Sequence, residues 1–510
     1  MPITAQKKKK QSNPMKKREI FIVIVLILFG LVYKASKDGD VEFVSFSDGC
    51  SVDHRSLIDK KYPNEYAQQE IQRENIKQIR IDNLAGNILV EKAPANDNRI
   101  RIQPSIRIYH KDKSKADQMA RDIKLVTRFE SLPIQPIPPL AIPIIPSTTS
   151  TTSVTPTTPS TSSTPKPAAP GASTPPPSIP PFPVETLSIS VESASGFQYQ
   201  RSRVYFKVIV PENVVLVLKN QYGFIDISEC GNNVFIDENY GDIIARKINA
   251  SVKIRHQNGE ITLSEIGNIV DLTATNSRVD LKDISILKAN TSYSNLFIEN
   301  LKTEARIENA VYSTITANNS GKISIDGRHT EVNLSNVKGD VEIKNSYESI
   351  SLEKIEGNID ISGRDCRLEL DKTTSDTVVI KNSYDRVRIG SLNAKNVKIA
   401  MNHGNLFLDF QKIEESLNIN NENSKITLTF PAALEPSFAI EVRHGSIHNT
   451  TLKNWEIVKE RERDTLNTTT KDAKPRFTII NSYGKVVLEN SEIDSNSDSP
   501  AEKETKAEKE

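Results

Sequence analysis

Cysteine, tryptophan and glycine are scarce in this chain of 510 residues, which contains 3 Cys, 1 Trp and 20 Gly. Three cysteines are too few to build a disulfide framework of the kind that staples small secreted domains. Charge of one sign is also lacking, because 66 Lys and Arg balance 65 Asp and Glu to a formal net charge of +1. Basic residues cluster only at the N-terminus, so we expect no nucleic-acid partner.

The chain also lacks an apolar run of the length that a membrane-spanning helix usually needs, which is about twenty residues. Its longest run, residues 20–33, has fourteen residues and follows a lysine-rich segment. No small-x-small cleavage site or cysteine follows this run, which argues against a cleaved signal peptide or a lipoprotein anchor. We therefore interpret residues 1–19 as a basic cytoplasmic N-terminus and residues 20–33 as an uncleaved signal-anchor that forms a transmembrane segment. The positive-inside rule then predicts a single-pass membrane protein whose bulk is periplasmic or extracellular.

The dominant feature of the rest of the chain is an eighteen-residue repeat, which runs from Asn220 to about His448. In its clearest copy, NSYESISLEKIEGNIDIS, the apolar residues Ile350 and Leu352 recur nine residues later as Ile359 and Ile361. Alternating apolar residues indicate short strands with one buried face, and Asn, Gly, Ser and Asp mark turns between them. A fixed period is typical of repeat folds. The repeat therefore predicts an all-β fold, a single-stranded β-helix or β-roll-like solenoid with about 18 residues per coil.

A second column of residues lies three positions before each sixth-position apolar residue, and we call it the tyrosine column. Its members are Tyr222, Tyr240, Asn258, Asn276, Tyr293, Tyr312, His329, Tyr347, Asp365, Tyr384, His403, Asn423, His444 and, after a gap, Tyr483. One hypothesis is a ligand ridge, for instance for glycans, formed by Tyr222, Tyr240, Tyr293, Tyr312, Tyr347 and Tyr384. The alternative, which we favour, is a stabilising ladder of stacked rings and amides along one turn. Gly or Ser often follows these residues, and we expect positive φ angles at that next position.

The flanking segments have other compositions. Residues 34–75 are a polar juxtamembrane linker, and residues 76–131 are predicted to form a small N-terminal β-module in which Ser114 caps a short helix. Residues 132–184 hold most of the prolines among Ser and Thr, which predicts a disordered insert. We favour an exposed loop or spacer for this insert, and O-glycosylation is the alternative. The solenoid domain is assigned to residues 185–490, and RFTIINSYGKVVLEN is expected to form its terminal coil or a hairpin. A charged disordered tail follows at residues 491–510.

The tracts IKQIRIDNLAGNILVE and YFKVIVPENVVLVLKNQYGFIDI, followed by the repeats, resemble the bacterial "putative adhesin" β-strand-repeat family, which is classed as a domain of unknown function. The resemblance covers roughly residues 76–490 without the proline-rich insert. It implies an extracytoplasmic β-solenoid, and it supplies no catalytic residues.

The repeat also bears on chemistry. Cys230 and Cys366 are predicted to lie about seven coils apart, too far for a disulfide bond, and the histidines of the tyrosine column are too far apart to share a metal ion. The outward residues Glu342 and Asp360 fall on successive coils, roughly 5 Å apart, which resembles the carboxylate pair of a retaining glycosidase. They have no cleft or burial that would tune a general acid. We expect no catalytic residues, no metal and no cofactor.

These observations favour a non-enzymatic, membrane-tethered, extracytoplasmic β-solenoid that acts as an adhesin-like protein or an envelope scaffold. Its expected partners are the membrane and envelope glycans or surface proteins. One alternative is a carbohydrate-active β-helix enzyme that acts on an envelope or extracellular polysaccharide. A second alternative is a sensory stalk, although a cytoplasmic segment of under twenty residues leaves little room for an output module.

Overall fold

A computed structural model of the protein describes residues 60–65, 69–71, 76–95, 97–133, 183–193, 201–434, 436–449, 456–468 and 474–491. The predicted cytoplasmic N-terminus, the signal-anchor, Cys50, nearly all of the proline-rich insert and nearly all of the tail lie outside these residues. Within the described ranges, no helix is both long and apolar enough to cross a membrane. The same ranges contain one helix and 28 strands, and the 28 strands belong to a single hydrogen-bonded sheet.

The helix α1 spans Lys113–Asp122. The strands are β1 (Lys60–Glu65), β2 (Gln69–Ile71), β3 (Gln78–Ala85), β4 (Ile88–Lys92), β5 (Ile100–His110), β6 (Ile123–Pro133), β7 (Pro183–Ser193), β8 (Ser202–Val210), β9 (Val215–Ser228), β10 (Val234–Ile248), β11 (Val252–Thr275), β12 (Ser277–Ser292), β13 (Asn295–Val311), β14 (Thr314–Arg328), β15 (Glu331–Val337), β16 (Val341–Ser346), β17 (Ile350–Ile355), β18 (Ile359–Arg364), β19 (Leu368–Ser383), β20 (Val387–Asn402), β21 (Leu406–Glu422), β22 (Lys425–Pro431), β23 (Ser437–Arg443), β24 (Ser446–Asn449), β25 (Val458–Lys459), β26 (Arg463–Asn467), β27 (Arg476–Ser482) and β28 (Lys485–Ser491).

The central strands stack as a parallel β-solenoid, as the repeat predicted. Val234 pairs with Val252 eighteen residues later, Ile350 with Leu368 after eighteen, and Leu368 with Val387 after nineteen. Each coil has two halves. Half-coil A carries the sixth-position residues such as Ile350, and half-coil B carries the residues about nine positions later, such as Ile359. The predicted period of about 18 residues is therefore the length of one coil.

The core is the stack of inward apolar side chains from both half-coils. Ile225, Ile243, Ile261 and Val279 lie on four successive coils in half-coil A, and each is completely buried. The residues between them along each strand point outward, because side chains alternate between the two faces of a strand. Each fully buried Ile or Leu stabilises the fold by about 1.5–3 kcal/mol, so the stack can supply stability without disulfide bonds.

At the N-terminal end, one coil is inserted out of sequence order. Strands β3 and β4 form this coil, which lies between the coil of β7 and β8 and the coil of β9. In half-coil B, Ile79 pairs with both Leu187 and Leu216. In half-coil A, Ile88 of β4 likewise lies between strands β8 and β9. The apolar tracts after Ile76 are therefore part of the solenoid stack itself.

Antiparallel strands cover the outer side of this end. Strand β5 pairs with β8, β6 pairs with β7, and β1 and β2 pair with β5. Helix α1 contributes Ala116 and Ala120 to the core. The helix is where the sequence predicted it, but its cap is Asp112, whose side chain accepts a hydrogen bond from the Ser114 backbone N–H at 2.8 Å. The prediction of Ser114 as the cap was wrong because the helix begins at Lys113, two residues earlier than a cap at Ser114 would allow.

The C-terminal end of the solenoid also contains a coil that is inserted out of sequence order. In half-coil B, Leu417 of β21 pairs with Phe477 of β27, which lies sixty residues later, and Phe477 pairs on its other side with Phe438 of β23. In half-coil A, β28 lies between β22 and β24. After β22 the chain therefore passes over the position of one coil. Strands β27 and β28, which follow residue 474, later occupy that position.

The expectation that residues 476–490 form the terminal coil or a hairpin was therefore wrong. The last parallel coil is the one formed by β23 and β24, and β26 covers β23 in antiparallel register. Strand β25 pairs in turn with β26. This covering is typical of solenoids, whose terminal strands otherwise present unpaired backbone groups that favour aggregation.

Candidate functional site

The tyrosine column runs along one edge of the solenoid as stacked rings. Tyr293, Tyr312, His329 and Tyr347 stack in an unbroken series, with successive ring centroids 5.2, 4.6 and 4.7 Å apart. The other stacked pairs are Tyr222 with Tyr240 at 5.2 Å, Tyr384 with His403 at 5.2 Å and His444 with Tyr483 at 4.8 Å. The predicted alignment of these residues along one edge is confirmed.

The backbone turns sharply at this column. From Asn276 onwards, the column residues themselves have positive φ, including Tyr293 at 51° and His329 at 52°. We expected positive φ one position later, at Gly or Ser, and this holds only for the earlier coils, as at Gly223 and Gly259. In the later coils the turn begins one residue sooner, so the left-handed position falls on the ring-bearing residue. Such a conformation is costly for bulky residues, and ring stacking together with the inter-coil hydrogen bonds offsets the cost.

Stacking decides which part of each ring faces solvent. The face of Tyr312 is covered on one side by Tyr293 and on the other by His329, so its exposed half consists of the ring edge and the hydroxyl group. A ligand that packs against aromatic faces needs an uncovered face. The stacked part of the column is therefore a ladder in geometry, and ligand binding along it stays a prediction.

The column is interrupted where Asn or Asp replaces a ring. Asn258 and Asn276 occupy two consecutive coils and join through a hydrogen bond from Asn276 Nδ2 to Asn258 Oδ1 at 3.4 Å. Asn423 lies between His403 and Tyr483 and contacts His403 Nε2 at 3.4 Å. Asp365 lies between Tyr347 and Tyr384. At these interruptions the neighbouring rings have faces that no other ring of the column covers.

A second polar column lies inside the solenoid, two residues before the tyrosine column, and sequence reasoning missed it. Its asparagines donate to the backbone carbonyl that follows the tyrosine column on the preceding coil. The bonds run from Asn83 to Val204 O, Asn220 to Gly86 O, Asn345 to Thr330 O, Asn382 to Cys366 O and Asn481 to Ser424 O, at 2.6–3.1 Å. The signal was the recurring Asn-Ser-Tyr motif at residues 345, 382 and 481. We call this set the asparagine column.

Glu238 and His256 replace asparagine in two consecutive coils of this column. His256 serves the same purpose, because its Nε2 donates to the Gly241 carbonyl at 2.8 Å while Nδ1 contacts Ser277 Oγ at 2.8 Å. Burial lowers the pKa of His256. His256 itself is 2 % exposed. It therefore belongs to the scaffold.

Glu238 is the exception in the asparagine column. Its side chain is completely buried, and neither carboxyl oxygen has a partner with hydrogen-bond geometry. Burial raises the pKa of Glu238 to about 10, and the nearby carboxylates Asp242 and Asp237 add to the shift. The neighbouring Asn220 amide lowers this pKa in part, but it donates to Gly86 O. Glu238 is therefore a neutral carboxylic acid at pH 7.

The carboxylate pair singled out for catalysis has the predicted spacing without a site around it. Glu342 and Asp360 are paired in register on successive coils. Both are on the outer surface, and Glu342 accepts a hydrogen bond from Lys344 Nζ at 3.0 Å. A shallow groove of about 480 Å³ lies at the turn that leads from half-coil A to half-coil B, and its lining includes neither Glu342 nor Asp360. Its charged groups pair with one another, as in Lys395 with Asp376 at 2.6 Å.

The other predicted site residues also take structural positions. Cys230 and Cys366 are both buried and both free, as the repeat predicted. Burial raises the pKa of the Cys230 thiol to about 12 and also raises that of Cys366. Within the described part of the chain, no three His, Cys, Asp or Glu side chains come close enough to hold a metal ion.

Parallel coils with an inward apolar stack define the protein as a β-solenoid. Residues 311–489 match the model of the Toastrack DUF4097 family. This match confirms the predicted resemblance to a β-strand-repeat family of unknown function. No curated protein matches the chain.

One solved structure aligns with the chain, a "putative cell adhesion protein from Clostridium sporogenes ATCC 15579". The alignment covers 84% of this chain and 100% of the other, at 7% sequence identity and a TM-score of 0.17. At this TM-score the likeness does not support a shared function.

Proposed function

We propose that the protein is a non-enzymatic binding protein, adhesin-like or an envelope scaffold, which presents its solenoid outside the cytoplasm from a membrane anchor at residues 20–33. The observation that carries the proposal is the placement of its polar and aromatic groups. The interior is filled by stacked Ile, Leu and Val, as at Ile243 and Ile261. The charged side chains and the rings of the tyrosine column, which could contact a partner, lie on the outer surface. The same edge of the solenoid presents them on successive coils.

Two further features support binding over catalysis. The paired carboxylates Glu342 and Asp360 lie on the outer surface, Glu342 is bonded to Lys344, and the groove at residues 356–414 includes neither of them. The exposed rings of the tyrosine column, such as Tyr293 at 60% exposure and Tyr384 at 59%, offer amphipathic contacts of the kind found at interfaces.

The test is a binding screen with the full-length protein against a glycan array and against isolated envelope fractions. We expect retention on at least one glycan class or envelope fraction, and recovery of the protein with the membrane fraction of cells. A protein that binds no glycan and no envelope fraction would contradict the proposal. Cleavage of a glycan, lost on changing Glu342 and Asp360 to Gln and Asn, would favour the carbohydrate-active alternative instead.

A further inference from the structure

The interruption of the tyrosine column at Asp365 differs from the other two interruptions. Tyr347 is covered by His329 on one side, and Tyr384 is covered by His403 on the other. The remaining face of each tyrosine is turned towards the coil of Asp365. Two tyrosine faces are therefore opposed across one coil that carries no ring.

Backbone hydrogen bonds fix the order of these three coils. The Tyr347 N–H donates to Arg364 O at 2.9 Å, and the Asp365 N–H donates to Ser383 O at 2.8 Å. Tyr347, Asp365 and Tyr384 thus stand on three successive coils at the same position of the turn. All three have positive φ, at 74°, 55° and 70°. The geometry of the turn continues through Asp365, and only the ring is missing.

The width of the gap follows from the spacing of the coils. Neighbouring parallel strands lie about 4.8 Å apart, so the opposed rings are about 10 Å apart. The stacked rings elsewhere in the column are 4.6–5.2 Å apart. A single six-membered ring placed midway would therefore meet both tyrosines at the distance that the column uses throughout.

The polar groups at the gap indicate which ring would fit. The Asp365 carboxylate and the Arg364 guanidinium lie 3.8 Å apart and are 34% and 68% exposed. Arg364 Cζ lies over the Tyr347 ring, 5.9 Å from its centroid, so a guest that stacks on this face must displace the guanidinium towards the rim of the gap. Together Asp365 and Arg364 offer an acceptor and a donor with no net charge. A guest therefore needs apolar faces for the tyrosines and a rim that both donates and accepts hydrogen bonds.

We propose that this gap is a binding slot for one neutral pyranose ring of a glycan, held between the Tyr347 and Tyr384 faces. The C–H groups of the sugar lie against the electron-rich ring faces, and its hydroxyl groups donate to Asp365 and accept from Arg364. The inference rests on the proposed function, because it names the ligand class and the place where binding occurs.

The other interruptions lack one or more of these features. The Asn258 and Asn276 interruption spans two coils, and the two amides bond to each other. The Asn423 interruption spans one coil, but the amide contacts His403 and one of its walls is an imidazole. These sites serve as internal controls.

The test measures binding of the methyl pyranosides of glucose, galactose, mannose and N-acetylglucosamine to the full-length protein by saturation-transfer NMR and calorimetry. We expect at least one to bind, and Tyr347→Ala or Tyr384→Ala to weaken that binding about tenfold. Asp365→Tyr is expected to complete the column and abolish binding, while Asp365→Asn should only weaken it. Tyr312→Ala, whose ring has both faces covered, and Asn423→Tyr should leave binding unchanged.

Three results with the wild type, the Tyr312→Ala variant and the small ligands would overturn the slot. They are the absence of binding by every pyranoside, an equal loss with Tyr312→Ala, and preferential binding of phenol over the pyranosides. If the Tyr347→Ala/Tyr384→Ala double variant binds the pyranosides as tightly as the wild type, the slot fails, and the proposed function still stands when the wild type binds glycans or envelope fractions. If the wild type binds neither glycans nor envelope fractions, the proposed function fails as well.

Discussion

Phe477 packs edge-on against Phe438, with ring centroids 5.3 Å apart and ring planes inclined at 85°. The contact joins a late strand to an earlier one, because β27 fills the coil that the chain leaves open between β21 and β23. Phe477 also meets Phe410 at 5.6 Å, so one side chain connects the coils on both sides of the insertion.

We therefore expect Phe477→Ala to destabilise the C-terminal coils by about 3–5 kcal/mol, the usual cost of removing a buried Phe ring. Amide hydrogen exchange should show lost protection in β21 and β23 together, because both lose their shared neighbour. Ile480→Ala is the matched control, since Ile480 lies on the same strand and is 40% exposed. Unchanged protection of β21 in Phe477→Ala would contradict the inserted position of β27.

This insertion also shows what the sequence could and could not predict. The alternation of apolar residues identified inward positions such as Ile350 and Ile359, which are both buried, because burial acts on each strand separately. It carried no information on which coil stacks on which. Most inward positions are apolar, so the alternation alone does not distinguish the next coil in the chain from one sixty residues away. One local trace was the spacing of the sixth-position residues, which widens to about twenty between Leu406, Ile426 and Ile447.

Part of the candidate site could also be predicted from the sequence, and part could not. The tyrosine column could be predicted because it repeats at a fixed distance from the apolar positions. Its opposed faces at Asp365 could not, because they depend on the coil order and on the ring-free residue between Tyr347 and Tyr384. The asparagine column was missed because its hydrogen bonds run to backbone carbonyls, which leave no complementary residue type in the sequence.

Glu238→Gln is expected to stabilise the protein at neutral and alkaline pH. The pKa of Glu238 is raised to about 10 in the folded state, so the folded protein keeps a proton that the unfolded chain releases above about pH 4.5. Stability therefore falls as pH rises from there towards pH 10. Glutamine has no proton to lose, and its amide N–H can donate to the Gly223 carbonyl as the asparagines do on other coils.

The pKa shift corresponds to about 5 kcal/mol at pH 8, so the gain should be several kcal/mol there and should fall to a small value that no longer changes with pH below about pH 4. Urea unfolding of wild type and Glu238→Gln across this pH range gives the measurement. Asp226→Asn, which removes an outward carboxylate on β9, is the control for simple removal of a negative charge. A difference between wild type and Glu238→Gln that does not depend on pH would show that Glu238 is not held protonated.

Cys230 and Cys366 should resist alkylation in the folded protein. They are 5 % and 1 % exposed, and burial raises the pKa of both thiols, which removes the reactive thiolate as well as access to it. We expect iodoacetamide at pH 8 to label neither site within the time that fully labels both in urea, as read by peptide mass spectrometry. Rapid labelling of Cys366 in the native state would place the turn at Asp365 in an open conformation.

Gly223→Ala should disrupt the junction between the inserted N-terminal coil and the rest of the solenoid. Gly223 has a φ of +145°, and an added Cβ would lie 1.9 Å from the Gly86 carbonyl oxygen. That oxygen belongs to the backbone and accepts from Asn220, so it cannot move without breaking the asparagine column. We expect a loss of more than about 2 kcal/mol, with hydrogen exchange rising in β3, β4 and β9. Gly390→Ala is the matched control, because its new Cβ would meet only the flexible Asp371 side chain. Equal stability losses for the two alanine variants would contradict this explanation. They would show that the close approach of Gly223 to Gly86 is not the cause of the lost stability.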